Sequence, residues 1–270
     1  MINLLHGDCI EEMAKMDANS VDLTVTSPPY DNLRTYEGTL QWNEDIWKRV
    51  LEGLYRVTKN GGVVVWIVGD ATIKGSETGA SFKQALYAMK CGFNLHDTMI
   101  WNKNGFSSPQ SNRYGPCFEY MFILSKGKPS SVNIIKDRKT LKGGQKIWSG
   151  KRKADGSMQT SSNHGNVRAE FGTRFNIWDQ SPVQSKSERT GHVAQFPEQL
   201  AHDHIISWSN EGDTVFDPFL GSGTTGKMAK QLNRNFIGIE KVEEYYNIAK
   251  ARVDDQARVD DQADEWFMLS

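Results

Sequence analysis

Apolar residues fall along the chain in short runs, separated by stretches with helical spacing. INLL (2–5) and VDLTVT (21–26) read as short buried strands, and the polar stretch 9–18 between them suits a helix. In residues 44–58, Ile46, Val50, Leu54 and Val57 recur at helical spacing, and the helix is expected to stop at Asn60-Gly61-Gly62. VVVWIVGD (63–70) is too apolar for a half-exposed strand and suits a parallel sheet covered on both faces. A helix is expected over 81–91, and strands over 94–103 and 118–126. From about 127 to 181 the pattern breaks down; Gly, Ser, Lys, Asn and Arg dominate, with isolated Trp148, Phe171, Phe175 and Trp178. Regularity returns with a helix at 198–208 (Leu200, His204, Ile205, Trp208), a strand VFDPF at 215–219, a helix at 224–232, a strand at 236–240 and a helix at 242–253. Alternating strands and helices predict an α/β, doubly wound sheet. The tail repeats ARVDDQ at 251–256 and 257–262. Val253 and Val259 are six apart and share no helix face, so the repeat reads as a duplicated end of a surface helix without a function of its own.

Composition bounds this picture. The chain has 270 residues, enough for one large domain or a core with a smaller lobe, and 38% are hydrophobic. No apolar run approaches the roughly 18 residues of a membrane span. The opening MINLLHGDCIEEM turns acidic before a secretory pattern forms, so no membrane contact and a cytoplasmic location are expected. Cys9, Cys91 and Cys117 form no CxxC pair, and no metal site is expected. The net charge is −1, but residues 126–174 carry 12 Lys/Arg against 3 Asp/Glu. A basic segment on an acidic body can make phosphate contacts that the total conceals.

Two motifs carry chemistry. In VFDPFLGSGTTGK (215–227) a buried strand ends in Asp217-Pro218, and a Gly-rich turn opens a helix. Gly221 and Gly223 allow a tight turn and close approach of a ligand, and the helix N-terminus favours a carboxylate or other anion. Glu240 ends the next strand, where an acid can bind both hydroxyls of a ribose. The same segment also fits GxxxxGK, a phosphate-binding P-loop, through Gly221, Gly226 and Lys227. That pattern needs Ser or Thr next to hold Mg²⁺, and Met228 stands there. A P-loop nucleotide hydrolase is the remote alternative.

The second motif is VTSPPYDN (25–32), directly after VDLTV. Pro28 and Pro29 fix φ and lack an N–H, which leaves the carbonyls of Ser27 and Pro28 rigid at a strand end. The Ser27 side-chain oxygen and the Pro28 carbonyl suit the two hydrogens of an amino group on an aromatic ring, and Tyr30 offers a stacking face. An exocyclic amino nitrogen is a poor nucleophile. Two fixed acceptors draw it toward tetrahedral geometry and stabilise the charge that develops as it is methylated.

Together the motifs resemble the amino-methylating DNA methyltransferases. Ser27-Pro28-Pro29-Tyr30 matches their catalytic (D/N/S)PP(Y/F), and Asp217 to Thr225 matches their cofactor loop. The catalytic motif comes first by about 190 residues, with the basic stretch between; that order looks like the β subgroup, a circular permutation of the fold. HGDCIEEM (6–13) resembles the element whose acid, here Asp8, contacts the cofactor adenine. GHVAQFPEQL (191–200) looks like the HPxxxP segment beside the methionine end, with Val193 in place of Pro. The resemblance implies a mostly parallel sheet of the S-adenosylmethionine-dependent methyltransferase type with an inserted irregular region. It divides the chain into a catalytic half (1–126), a target-recognition region (127–180), a cofactor half (181–253) and a tail (254–270). It implies S-adenosylmethionine as cofactor, held by Asp8, Asp217, Phe219, Gly221, Ser222, Gly223, Thr224, Glu240, His192 and Phe196. Double-stranded DNA is the implied substrate, contacted through Lys151, Arg152, Arg168 and Arg174, with Trp178 a further candidate reader. The target base must leave the duplex. The resemblance leaves room for a restriction endonuclease counterpart and for a homodimer.

Within the family SPP(Y/F) is commoner in N4-cytosine enzymes and DPPY in N6-adenine enzymes, so Ser27 leans the reading to cytosine N4, with adenine N6 as the alternative. A cytosine-C5 enzyme needs a nucleophilic Cys; Pro116-Cys117 offers one only superficially and leaves TSPPY unexplained. A DNA-binding regulator with a dead site is disfavoured by the intact Ser27, Tyr30, Asp217 and Glu240.

Overall fold

The N-terminal half lays down β1 (Ile2–His6), α1 (Cys9–Lys15), β2 (Val21–Thr26), α2 (Glu44–Val57) and β3 (Thr58–Val68), followed by a small hairpin, β4 (Thr72–Ile73) and β5 (Ser76–Glu77). Then come α3 (Ala80–Cys91), β6 (Asn94–Asn102) and β7 (Phe118–Ser125). Four short strands follow: β8 (Arg138–Lys139), β9 (Gly150–Arg152), β10 (Met158–Thr160) and β11 (Phe171–Gly172). The chain continues with β12 (Ile177–Asp179), α4 (Glu198–Trp208), β13 (Thr214–Asp217), α5 (Thr224–Gln231), β14 (Asn235–Glu240) and α6 (Glu243–Asp254). This computed structural model describes residues 1–29, 42–105, 112–148, 150–160, 162–182 and 195–254, without the side chain of Lys151.

The main sheet has the order β1-β14-β13-β2-β3-β7-β6-β12. β7 runs antiparallel to β3 and β6, and every other neighbouring pair is parallel. The C-terminal ends of β1, β14, β13, β2 and β3 therefore share one edge. Alternation along β3 shows why its sequence is apolar throughout. Val63, Val65 and Ile67 join the core under α4, α5 and α6, with Leu200, Met228 and Ala249. Val64, Trp66 and Val68 join the core under α1, α2 and α3, with Met13, Leu51 and Ala88. Successive residues point to opposite faces, so both faces must be greasy. The buried Trp66 indole meets its hydrogen-bonding need by donating to Gln84 Oε1 at 2.8 Å.

Several boundaries differ from the sequence reading: α1 ends at Lys15 rather than 18, and β13 ends at Asp217 rather than 219. β3 begins at Thr58, not at 63, and α2 stops at Val57 before the Asn60-Gly61-Gly62 signal. Tertiary pairing decides this: Thr58 sits opposite Val21, Gly61 N donates to Lys126 O at 2.7 Å, and Lys126 N donates to Gly62 O at 3.0 Å. Trp178, expected in the irregular basic region, lies in β12. It is buried, pairs through β12 with β6, and stacks on His204 at 4.5 Å between ring centroids.

Residues 134–175 form a separate compact unit, narrower than the expected 127–180. Within it β8 pairs with β11 and β9 with β10, both antiparallel. Arg174 is ion-paired with Asp137, and the Arg138 guanidinium lies 4.6 Å from the centre of the Phe175 ring. Trp148 meets His164 edge-on at 5.3 Å and is itself largely exposed.

Candidate active site

β2 and β13 are parallel neighbours, with Leu23 opposite Val215 and Thr24 opposite Phe216. Each strand ends at a proline-containing loop, Ser27-Pro28-Pro29 after Thr26 and Pro218-Phe219 after Asp217, because proline cannot donate to the ladder. The two sequence motifs therefore leave the same edge side by side. Asp217 locks them together. It is 2% exposed, and its Oδ1 accepts from Thr26 Oγ1 at 2.6 Å, 191 residues away, and from Phe219 N at 3.0 Å. Its Oδ2 lies 2.9 Å from Thr225 Oγ1, which is also 3.2 Å from the Val25 carbonyl. Burial pushes the Asp217 carboxyl up to about 7, against the lowering effect of its Thr26, Phe219 and Thr225 bonds; the Glu240 charge adds to the rise.

The glycine loop is held from both sides. Gly221 and Gly223 have φ of +52° and +81°, in the left-handed region that glycine adopts without strain. Gly221 N donates to Glu240 Oε2 at 2.8 Å, and Val242 N donates to Glu240 Oε1 at 2.9 Å. Burial raises the Glu240 carboxyl above its ordinary value, against these backbone bonds. His6 pairs with Glu240 across β1 and β14, which brings Asp8 to the same edge. Asp8 caps α1 through Ile10 N at 3.0 Å and accepts from Lys241 Nζ at 3.1 Å. Burial alone would raise the Asp8 carboxyl, but the Lys241 bond and the Ile10 N–H outweigh it and hold it below the usual range.

The remaining expected residues fall unevenly. Phe219 faces Trp42 edge-on at 5.5 Å and Trp66 at 6.4 Å, so an aromatic wall stands beside the loop. Phe196 is buried in the core with Leu200, just before α4. The Ser222 and Thr224 hydroxyls accept from Arg252 Nη1 at 3.1 and 2.9 Å. Ser27 and Pro29 are half-buried and Pro28 is buried. Tyr30, His192 and the Lys151 side chain lie outside the described residues. Arg152 and Arg168 are exposed on the 134–175 unit, whereas Arg174 is engaged by Asp137.

Sequence reasoning missed five residues. Thr26 looks like an ordinary strand residue, Thr225 is only the last position of the cofactor-loop match with no role assigned, and Trp42 stands as a lone aromatic. Glu198 is buried inside FPEQL, and Arg252 was concealed in the tandem repeat. Lys227, the lysine of the P-loop alternative, donates to both oxygens of Glu198 at 2.8 Å and is mostly buried. A lysine paired in this way with Glu198 gives the P-loop reading no support.

The donor set suits a nucleoside with a cationic end. Gly221 N and Val242 N each donate to one Glu240 oxygen and the Lys241 backbone also bonds the carboxylate, so of its roughly four acceptor positions about one remains for a ribose hydroxyl. Asp8 and Glu240 bring acidic character to the edge, while Glu198 engages both Lys227 and Arg252. Among the described residues no group of three or more His, Cys, Asp or Glu is placed to hold a metal, and no helix is long and apolar enough to cross a membrane.

Comparison with known proteins places the chain in a family. The family model described as DNA methylase matches residues 21–251. The orphan methyltransferase M.BamHII of Bacillus amyloliquefaciens is 54% identical over 92% of this chain and 90% of its own length. The DNA adenine methyltransferase YhdJ of Escherichia coli (strain K12) is 31% identical over 93% of this chain and 82% of its own. A putative DNA modification methylase of Thermus thermophilus, TTHA0409, solved in complex with S-adenosyl-L-methionine, superposes with a TM-score of 0.62 at 25% identity, covering 94% of this chain and 95% of that one. With the two loops joined at one sheet edge and the family model spanning most of the sequence, the chain belongs to the N6/N4 DNA methylase family, the amino-methylating DNA methyltransferases.

Proposed function

We propose that this DNA methyltransferase uses S-adenosylmethionine to methylate the N4 amino group of a cytosine flipped out of double-stranded DNA. The observation that carries the reading is the Thr26–Asp217–Thr225 lock, which holds the loop suited to an amino group beside the loop suited to a nucleoside. S-adenosylmethionine, when bound, supplies an electrophilic methyl on a sulfonium. Glu240 would hold its ribose, Asp8 its adenine edge, and the Gly221–Thr224 loop its amino-acid end, with Phe219 and Trp42 shielding the site from water. Ser27 and the Pro28 carbonyl would each accept one hydrogen of the base amino group. That contact localises the nitrogen lone pair and stabilises positive charge on the nitrogen as its new bond forms. The exposed Arg152 and Arg168 would contact the DNA backbone.

Ser27→Ala tests the reading. It is expected to lower kcat about 100-fold, as loss of a donor or acceptor aimed at transition-state charge does, while S-adenosylmethionine binding persists in calorimetry. Full activity in Ser27→Ala would remove the role assigned to Ser27. Adenine N6 is the second reading, because the relative YhdJ, 31% identical, is named a DNA adenine methyltransferase. Analysis of the methylated nucleosides separates the two bases.

A further inference from the structure

α6 ends on the glycine loop. The Arg252 guanidinium donates through Nη1 to the Ser222 carbonyl at 3.2 Å, to Ser222 Oγ at 3.1 Å and to Thr224 Oγ1 at 2.9 Å, and through Nη2 to Glu198 Oε1. Glu198, at the first turn of α4, receives Lys227 Nζ on both oxygens. The side chains of Arg252, Lys227 and Glu198 are 11%, 14% and 8% exposed, so the network is sheltered from water and salt. Backbone packing follows the same line. A Cβ on Gly223 would come within 3.1 Å of Ala249 Cα and Cβ, and Lys230 Nζ donates to the Val253 carbonyl at 2.7 Å.

A buried Arg–Glu pair by itself says little about stability. The informative feature is that Nη1 of the guanidinium is spent entirely on atoms of the cofactor loop. Its planar fork spans Ser222, Thr224 and Glu198 together, which a point-charge ammonium on a flexible stem does not do. We infer that Arg252, braced by Glu198, is a positioning residue that pre-forms the Gly221–Thr224 loop and thereby sets the affinity for S-adenosylmethionine. The inference rests on the reading above that this loop receives the cofactor. Arg252 touches neither reacting centre; it removes the ordering that the loop would otherwise undergo on binding. Within the first ARVDDQ copy, both this arginine and the buried Val253 belong to α6.

The test uses the full chain with Arg252→Met, Arg252→Lys and Glu198→Gln. Calorimetric S-adenosylmethionine titrations, melting curves and steady-state kinetics on DNA are compared. Arg252→Met is expected to raise the cofactor Kd and KM about 10-fold or more, with kcat at saturating cofactor and KM for DNA within about 2-fold of wild type. Arg252→Lys keeps the charge facing Glu198 but loses the fork, and should fall between the two; it carries the test if Arg252→Met does not fold. Glu198→Gln should weaken cofactor binding in the same direction. The inference is overturned if Arg252→Met and Arg252→Lys bind cofactor as wild type does, or if melting temperature, kcat and DNA binding fall together in proportion to cofactor affinity. Wild-type protein that gives no heat with S-adenosylmethionine would overturn the reading beneath it, a different and distinguishable result.

Discussion

Asp217 can satisfy its neighbours in either protonation state. Ionised, it accepts from Thr26, Phe219 and Thr225. Protonated on Oδ2, it donates to Thr225 Oγ1, which then donates to the Val25 carbonyl at 3.2 Å, while Oδ1 still accepts from Thr26 and Phe219. An asparagine amide placed at Oδ2 reproduces the second pattern. Asp217→Asn is therefore expected to fold with near-native stability. Asp217→Ala strands the buried Thr26 hydroxyl and the Phe219 N–H, and should cost about 3 kcal/mol or more. A folded-state value of about 7 against the ordinary 3.8 means the folded protein holds this proton where the unfolded chain has lost it. The contribution is fully present below pH 3.8 and is lost as pH rises through 7. Urea denaturation between pH 5 and 8 should show wild-type stability falling with a component that is missing in Asp217→Asn; equal slopes would contradict the assignment. The sequence displayed Asp217 as part of a motif. It could not display its use, because Thr26 lies 191 residues away and has nothing unusual about it. Arg252 was illegible for a similar reason, since its partners are 28 to 54 residues distant.

Among elements, the strands and helices of the core were legible wherever one period dominated, as in β3 and α2. The sequence failed where pairing partners decide. Thr58 to Gly62 look like a helix stop, yet Val21 and Lys126 draw them into β3. Trp178 sits among basic and polar residues, yet β12 finds β6 and buries it. Trp178→Ala should therefore cost about 3–5 kcal/mol, as large aromatic truncations in cores do, measured as a drop in the urea midpoint. Native stability with altered target choice would instead restore a base-reading role. The α6–loop contact makes its own prediction. Gly223→Ala adds a Cβ at φ +81° and 3.1 Å from Ala249, so it should strain the loop by about 1–2 kcal/mol and weaken S-adenosylmethionine binding in calorimetry. Unchanged affinity would show that the loop tolerates this displacement.

At the scale of the whole molecule, the permuted motif order becomes intelligible from the sheet. Strands far apart in the chain, β2 and β13, are neighbours, so placing the catalytic motif first does not separate it from the cofactor loop. The 134–175 unit carries ten Lys/Arg against three Asp/Glu, an excess suited to phosphates. Arg152→Ala and Arg168→Ala should each lower DNA affinity and reduce the slope of log K against log salt concentration by about 1, leaving cofactor affinity unchanged; unaltered slopes would remove these residues from the interface. The central claim is methyl transfer to a base amino group across the joined loops. Its most direct test is incubation of the protein with mixed-sequence DNA and S-adenosylmethionine carrying an isotopically labelled methyl, followed by mass spectrometry of the nucleosides. The account predicts label on the cytosine N4 amino group, with adenine N6 as the second reading; label on cytosine C5, or none in DNA, would contradict it.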